Sequence, residues 1–208
     1  APYAGGQSSG ESSPLVINGL FVGNQASRGA AIYSDGRNQG LSSPIILNST
    51  FSQNGVGVGR AIFANGSGNG ISDPQTINAI LAESGAEVGF NEGTTTHDHT
   101  LIEGGCPTEA TCTAAVSGPV RFANDLRPDG DDGTLGTPDD GLVLLGSSPA
   151  LNAGRNDALD LNGDGTRDVE TDLLGQSRTP DSMDPVDLGA YEGAVPVRTI
   201  YVDANANG

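Results

Sequence analysis

Residues 12–41 read SSPLVINGLFVGNQASRGAAIYSDGRNQGL, residues 42–71 read SSPIILNSTFSQNGVGVGRAIFANGSGNGI, and residues 72–101 read SDPQTINAILAESGAEVGFNEGTTTHDHTL. Written one beneath another, they align without a gap at a period of 30. Ser12, Ser42 and Ser72 coincide, as do Pro14, Pro44 and Pro74, then Asn18, Asn48 and Asn78, then Gly29, Gly59 and Gly89. Leu41, Ile71 and Leu101 close the unit. A fixed period of this length is the mark of stacked repeats. Each unit holds short β-type runs, such as 15–22 and 30–34, broken by Gly, Asn, Ser and Asp. No helical periodicity of useful length is present, so helical repeats are excluded. The expectation is an all-β chain wound as a parallel β-helix, with about three 30-residue coils. Ala1 and Tyr3 match Ala31 and Tyr33, so a partial N-terminal coil precedes them. Equivalent residues should stack in ladders about 4.8 Å apart. Leu15, Ile17 and Phe21 are expected to point inward, and Asn18, Asn48 and Asn78 to form an amide ladder, as are Asn24 and Asn54. Gly29, Gly59 and Gly89 are expected at positive φ. The third copy decays: Gln75 replaces Leu15 and Ile45, and His97 and His99 would share a strand face, as a solvated pair or a metal pair.

Composition narrows the partners. Of 208 residues, 32 are Gly and 12 Pro, Trp is absent, and every one of the nine Lys/Arg residues is Arg. The net charge is −17, which argues against nucleic acid and anionic membranes, since both need cationic patches. No apolar run approaches the ~18 residues of a membrane span, so membrane insertion is not expected. The balance favours divalent cations. One Asp-rich loop runs from Asp129 to Gly141 and offers Asp129, Asp131, Asp139 and Asp140. A second, Asp160-Leu-Asn-Gly-Asp-Gly-Thr-Arg-Asp168, has the D-x-N-x-D-G-x-x-D pattern of a Ca2+ loop. There Asp160, Asn162 and Asp164 supply alternate oxygens, Gly165 the sharp turn, Thr166 a carbonyl and Asp168 a carboxylate or water bridge. Thr171 stands where the twelfth-position Glu belongs, so Glu170 or Asp172 would substitute. Cys106 and Cys112 point to a local disulfide in an oxidising compartment, with two buried thiols as the alternative.

Gly146-Ser-Ser-Pro-Ala-Leu-Asn-Ala-Gly154, Thr171-Asp-Leu-Leu-Gly-Gln-Ser-Arg178 and Val186-Asp-Leu-Gly-Ala-Tyr-Glu192 resemble the closing motifs of bacterial secreted right-handed β-helix proteins of the choice-of-anchor Q type. The upstream N-S-T-F-x-x-N and A-I-(Y/F) repeats, the GGCP-x-x-ATC segment and the GT-x-DDG loop extend the resemblance over most of residues 12–192. Asn152 departs from the commoner Asp. The resemblance implies right-handed coiling and a secreted or cell-surface protein, often without known catalysis.

Three segments are expected: coils over 1–105, a loop-rich, calcium-binding part of the helix and cap over 106–192, and a linker with a strand over 193–208. The last, TIYVDANANG, resembles AIYSDGRNQG of residues 31–40, so Ile200, Tyr201 and Val202 could add to the open Ala1/Tyr3 coil of a neighbouring copy. Head-to-tail addition that does not close makes a filament. A cut from a longer chain explains the same ends. In the coils, acids do not stack in register as paired catalytic carboxylates would, and no Ser-His-Asp or Cys-His set is visible. No catalytic residue is assigned. The expected function is an extracellular, calcium-stabilised structural unit that assembles end to end. The alternative is a surface adhesin or polysaccharide-binding module, and a polysaccharide lyase or hydrolase ranks below both.

Overall fold

The structure, a computed structural model, describes residues 2–179 and 184–195. Ala1, Ile200, Tyr201 and Val202 lie outside the described residues. The architecture is all-β, with parallel sheets in a coil of the β-helix-like class. Four strands make the first turn: β1 (Tyr3–Gly5), β2 (Glu11–Ser12), β3 (Leu15–Ile17) and β4 (Leu20–Val22). The second turn repeats them as β5 (Ile32–Asp35), β6 (Leu41–Ser42), β7 (Ile45–Leu47) and β8 (Thr50–Ser52). The third holds β9 (Ile62–Asn65), β10 (Ile71–Ser72), β11 (Gln75–Ile77) and β12 (Ile80–Ala82). Tyr3 faces Tyr33, Leu15 faces Ile45 and Thr50 faces Ile80, all at the 30-residue period.

Beyond β12 the period is not kept. β13 (Val88–Asn91) pairs Val88 with Ile62, and β14 (Thr95–Asp98) pairs Thr96 with Gln75. β15 (Leu101–Ile102) pairs Leu101 with Ile80 rather than with Ile71. The turn after β12 is four residues shorter than its predecessors, and the one after β13 five shorter. Gly89 therefore lies opposite Phe63 and has no positive φ, whereas Gly29 and Gly59 sit at φ 54° and 63°. The next turn shortens again: β16 (Ala110–Thr113) and β17 (Val116–Ser117) stack on β14 and β15 across the Cys106–Cys112 disulfide. The coil thus runs on to Ser117, within the segment expected to continue the helix.

Phe21 points inward as expected, but along β3, β7 and β11 the inward column is displaced by one residue from the expectation. Leu15 and Ile45 are exposed, while Ile46 and Thr76 are fully buried. Asn18, Asn48 and Asn78 stand at φ 53°, 48° and 50°, and this left-handed bend between β3 and β4 resets the alternation. Val16, Ile46, Phe21, Phe51, Ile32 and Ile62 then fill the coil, with the Phe21 and Phe51 rings stacked 4.5 Å apart. The His pair is also split. His97 points inward, its Nδ1 2.7 Å from Thr76 Oγ1 and its Nε2 2.9 Å from Thr95 Oγ1, and burial pulls its pKa down to about 4. His99 occupies the next left-handed position and pairs with Asp98 at 2.8 Å.

Ile17, Leu47 and Ile77 face outward yet are covered by Ala158, Leu159, Val169 and Val186. Ile80 and Leu101 are covered by Val120, Leu144, Ala150 and Leu188. The described residues after Ser117, including β18 (Leu144–Leu145), a 3-10 turn over Asn156–Leu159 and β19 (Ala194–Val195), lie along the flank of the coil. They reach from the last turns back to the first and are not placed as a cap over one end. Among the described residues no helix is long and apolar enough to cross a membrane.

Candidate functional site

Two of the closing motifs meet at one buried cation, and the third joins them through Asp187. Arg178 is fully buried. Its Nη2 donates to Asn18 Oδ1 at 2.6 Å and to the Ala190 carbonyl at 3.0 Å, and its Nη1 lies 3.4 Å from Glu192 Oε2. Asn18 returns a hydrogen bond from Nδ2 to the Thr171 carbonyl at 2.9 Å. Asp187 accepts from the Asn152 and Gly193 amides at 2.7 and 2.8 Å. Asp172 accepts from the Leu174, Gln176 and Glu192 amides, each at 2.8 Å. Its carboxylate is committed to this clasp and not to the loop ending at Asp168. Burial, then the neighbouring Asp187 charge, pushes Glu192 up to about 8. Burial raises Asp187 too, and it lowers the Arg178 guanidinium.

At Asn18 and Asn78 the expected amide ladder is replaced by bonds to this flank. Asn78 Oδ1 accepts from the Arg155 amide at 2.8 Å, and its Nδ2 donates to the Arg155 carbonyl at 3.0 Å. Asn48, between Asn18 and Asn78, is buried with neither amide atom partnered among the described residues. Asn24 does bond Asn54, at 2.9 Å, and Glu83 continues that column through Asn54 Nδ2 at 2.5 Å.

The acidic loops are built from side chains that close on loop amides. Asp160 accepts from Gly163 and Gly165 at 2.7 and 2.8 Å, Asn162 from Asp164 at 2.9 Å, Asp164 from Thr166 at 2.8 Å, and Asp168 from Leu161 at 2.7 Å. The Gly165 amide, chiefly, holds the Asp160 carboxyl below its ordinary range. This loop has alternating oxygen donors of the kind calcium takes, spread around a tight turn. In the other loop, Asp139 accepts from the Asp131 and Asp132 amides at 2.6 and 3.1 Å and from Thr137 Oγ1 at 2.8 Å. Asp131 pairs with Arg127 at 2.5 Å. Asp140 is buried and accepts from the Gly136 amide and the Tyr191 hydroxyl, apart from the exposed acids. Asp129 is half-buried, and its carbonyl accepts from the Thr134 amide at 3.1 Å. Among the described residues no three His, Cys, Asp or Glu side chains are gathered as a metal site.

Sequence reasoning missed Arg178 as a centre. Its only sequence signal was its place in a closing motif, and its partner Asn18 is 160 residues away. Comparison with protein-family models, curated proteins and solved structures finds no match to this chain.

Proposed function

We propose that the chain is an extracellular structural unit, a right-handed parallel β-helix that stacks end to end on copies of itself. Right-handed coiling is the sense that nearly all parallel crossovers take. The resemblance to secreted β-helix proteins and the disulfide, which suits an oxidising compartment, support the location.

The observation that carries the reading is the first rung. Among the described residues β1, β2, β3 and β4 are edge strands of four parallel sheets. Such edges add strands from other chains. Tyr3 remains 55% exposed at the end of a Tyr3–Tyr33–Phe63 ring stack. By sequence, Tyr201 of an incoming strand would fall over Tyr3.

Gly10 supplies the test. A methyl on Gly40, its equivalent one rung on, would sit 1.8 Å from the Gly6 carbonyl oxygen. At Gly10 the nearest atom would be 3.2 Å away, the Gln7 carbonyl oxygen. Gly10→Ala should therefore fold normally yet obstruct an incoming turn. Negative-stain microscopy should show fibres of the full chain, and folded monomers for Gly10→Ala and for a deletion of residues 196–208. Monodisperse full-length chain would overturn assembly and favour a surface module. Fibres unaltered in both variants would overturn the first-rung contact.

Calcium belongs to the same proposal. Asp160, Asn162, Asp164 and Asp168, with the Thr166 carbonyl, would hold it and offset part of the −17 charge. A ligand at 100 times its Kd stabilises the folded state by about 2.7 kcal/mol. The thermal midpoint should rise by several degrees with calcium, and loosening in chelator should begin within 129–187. Equal midpoints in calcium and in chelator would remove calcium from the proposal.

A further inference from the structure

A cavity of about 500 Å³ opens at the seam between the coil corners following β8 and β12 and the flanking segment at 119–125. It is independent of the rung edge and of the acidic loops. Arg60 and Glu83 line its coil side. Arg60 Nη1 donates to the Glu83 carbonyl at 3.1 Å, and its Nε is buried with no partner among the described residues. That Nε–H is a donor on the coil side of the cavity. The Glu83 carboxylate is buried, one oxygen accepting from the Asn54 amide at 2.8 Å and the other from Asn54 Nδ2 at 2.5 Å, and burial pushes its pKa up to about 7.

The flank supplies the opposite wall. Arg121 is exposed and held at φ 63°, a conformation that costs a non-Gly residue energy. Its carbonyl is anchored by the Leu145 amide at 2.9 Å. Phe122 and Pro119 give an apolar surface beside it. Gln53 closes one rim by donating from Nε2 to the Asp125 carbonyl. Glu103 accepts from the Ser84 amide at 3.2 Å on the far side. A second hollow of about 390 Å³ shares Ser84, Glu103 and Pro119, so the groove continues past the first cavity.

We infer that this groove binds a neutral saccharide, with one ring in the Arg60–Glu83–Arg121 cavity and the next toward Glu103. The guanidinium groups of Arg60 and Arg121 and the carboxylates of Glu103 and Asp125 line it, and sugar hydroxyls are the small groups that donate and accept at once. The apolar wall can take the C–H face of a ring, and the volume lies in the range of small-molecule sites. An anion would meet Glu83, Glu103 and Asp125 on a chain of net charge −17, and a cation would meet the two guanidinium groups.

Saturation-transfer NMR on the full chain tests this with cellobiose, lactose, mannobiose and galacturonic acid as probes. Arg121→Gly suits the left-handed backbone and removes the guanidinium without strain. Glu103→Gln keeps an acceptor and removes the charge. The expected result is transfer to at least one neutral disaccharide, weakened about tenfold or more in both variants while the thermal midpoint is unchanged. No transfer to any neutral sugar at about 10 mM would overturn the inference. So would transfer that both variants leave intact, or transfer to galacturonic acid alone.

Discussion

Arg178→Met should destabilise the protein by about 3–5 kcal/mol, the usual cost of removing one partner from a buried ionic cluster. The guanidinium is the cation nearest Glu192, and it also holds Asn18 and the Ala190 carbonyl. Its loss leaves Asp172, Asp187 and Glu192 buried together and removes one of the bonds that tie the flank to the first coil. The penalty should depend on pH. Glu192 has a folded pKa of about 8, above its ordinary value of 4.5. A carboxyl raised on folding favours the folded state below its unfolded pKa, and that contribution is lost as pH rises through the folded pKa. Near pH 6 Glu192 is largely protonated, so the variant there strands fewer charges than near pH 9. Urea unfolding at the two pH values should show the larger loss at the higher one. The Arg178→Met/Glu192→Gln double variant should recover part of it. A loss below about 1 kcal/mol at both pH values would show that the clasp is not a stabilising contact.

Gly70→Ala is expected to cost about 4 kcal/mol, at the upper end for single substitutions. The added methyl would lie 1.8 Å from the Gly36 carbonyl oxygen and 2.7 Å from its carbon. Both are backbone atoms of the preceding rung, so no side-chain rotation relieves the clash. The rungs would have to part, at the expense of bonds such as the Ile71 amide to the Gly40 carbonyl at 2.8 Å. Gly40→Ala should behave alike, while Gly10→Ala, at the same repeat position on the first rung, should be mild. Thermal unfolding of the three variants gives the comparison. Equal midpoints for Gly10→Ala and Gly70→Ala would refute stacking contact as the reason for glycine in this column.

Much of the coil is legible in the residues, because a stacked rung repeats its local chemistry. Tyr3 finds Tyr33 and Thr50 finds Ile80 at the same period, and Gly29 and Gly59 stand at the expected positive φ, whereas Asn18, Asn48 and Asn78, expected as an amide ladder, mark left-handed bends. The Cys106–Cys112 pairing was legible from a spacing of six. The candidate site was less so. The alternate oxygens of 160–168 could be read in order, but Asp140 and Asp172 look the same in sequence and are spent on Tyr191 and on the Arg178 clasp.

The sequence by itself determined that this chain is a stack of short parallel strands with acidic loops behind it. Only the tertiary structure decided which face of each strand is inside, since a single left-handed residue resets a period-2 pattern. It also decided how the third and fourth turns shorten, because a missing corner is visible only when Leu101 is seen against Ile80. And it decided where residues 119–179 and 184–195 go. Their apolar positions are too sparse to announce a partner, and they are buried on the coil's outer wall because Ile17, Leu47, Ile77 and Ile80 leave apolar surface there to be removed from water.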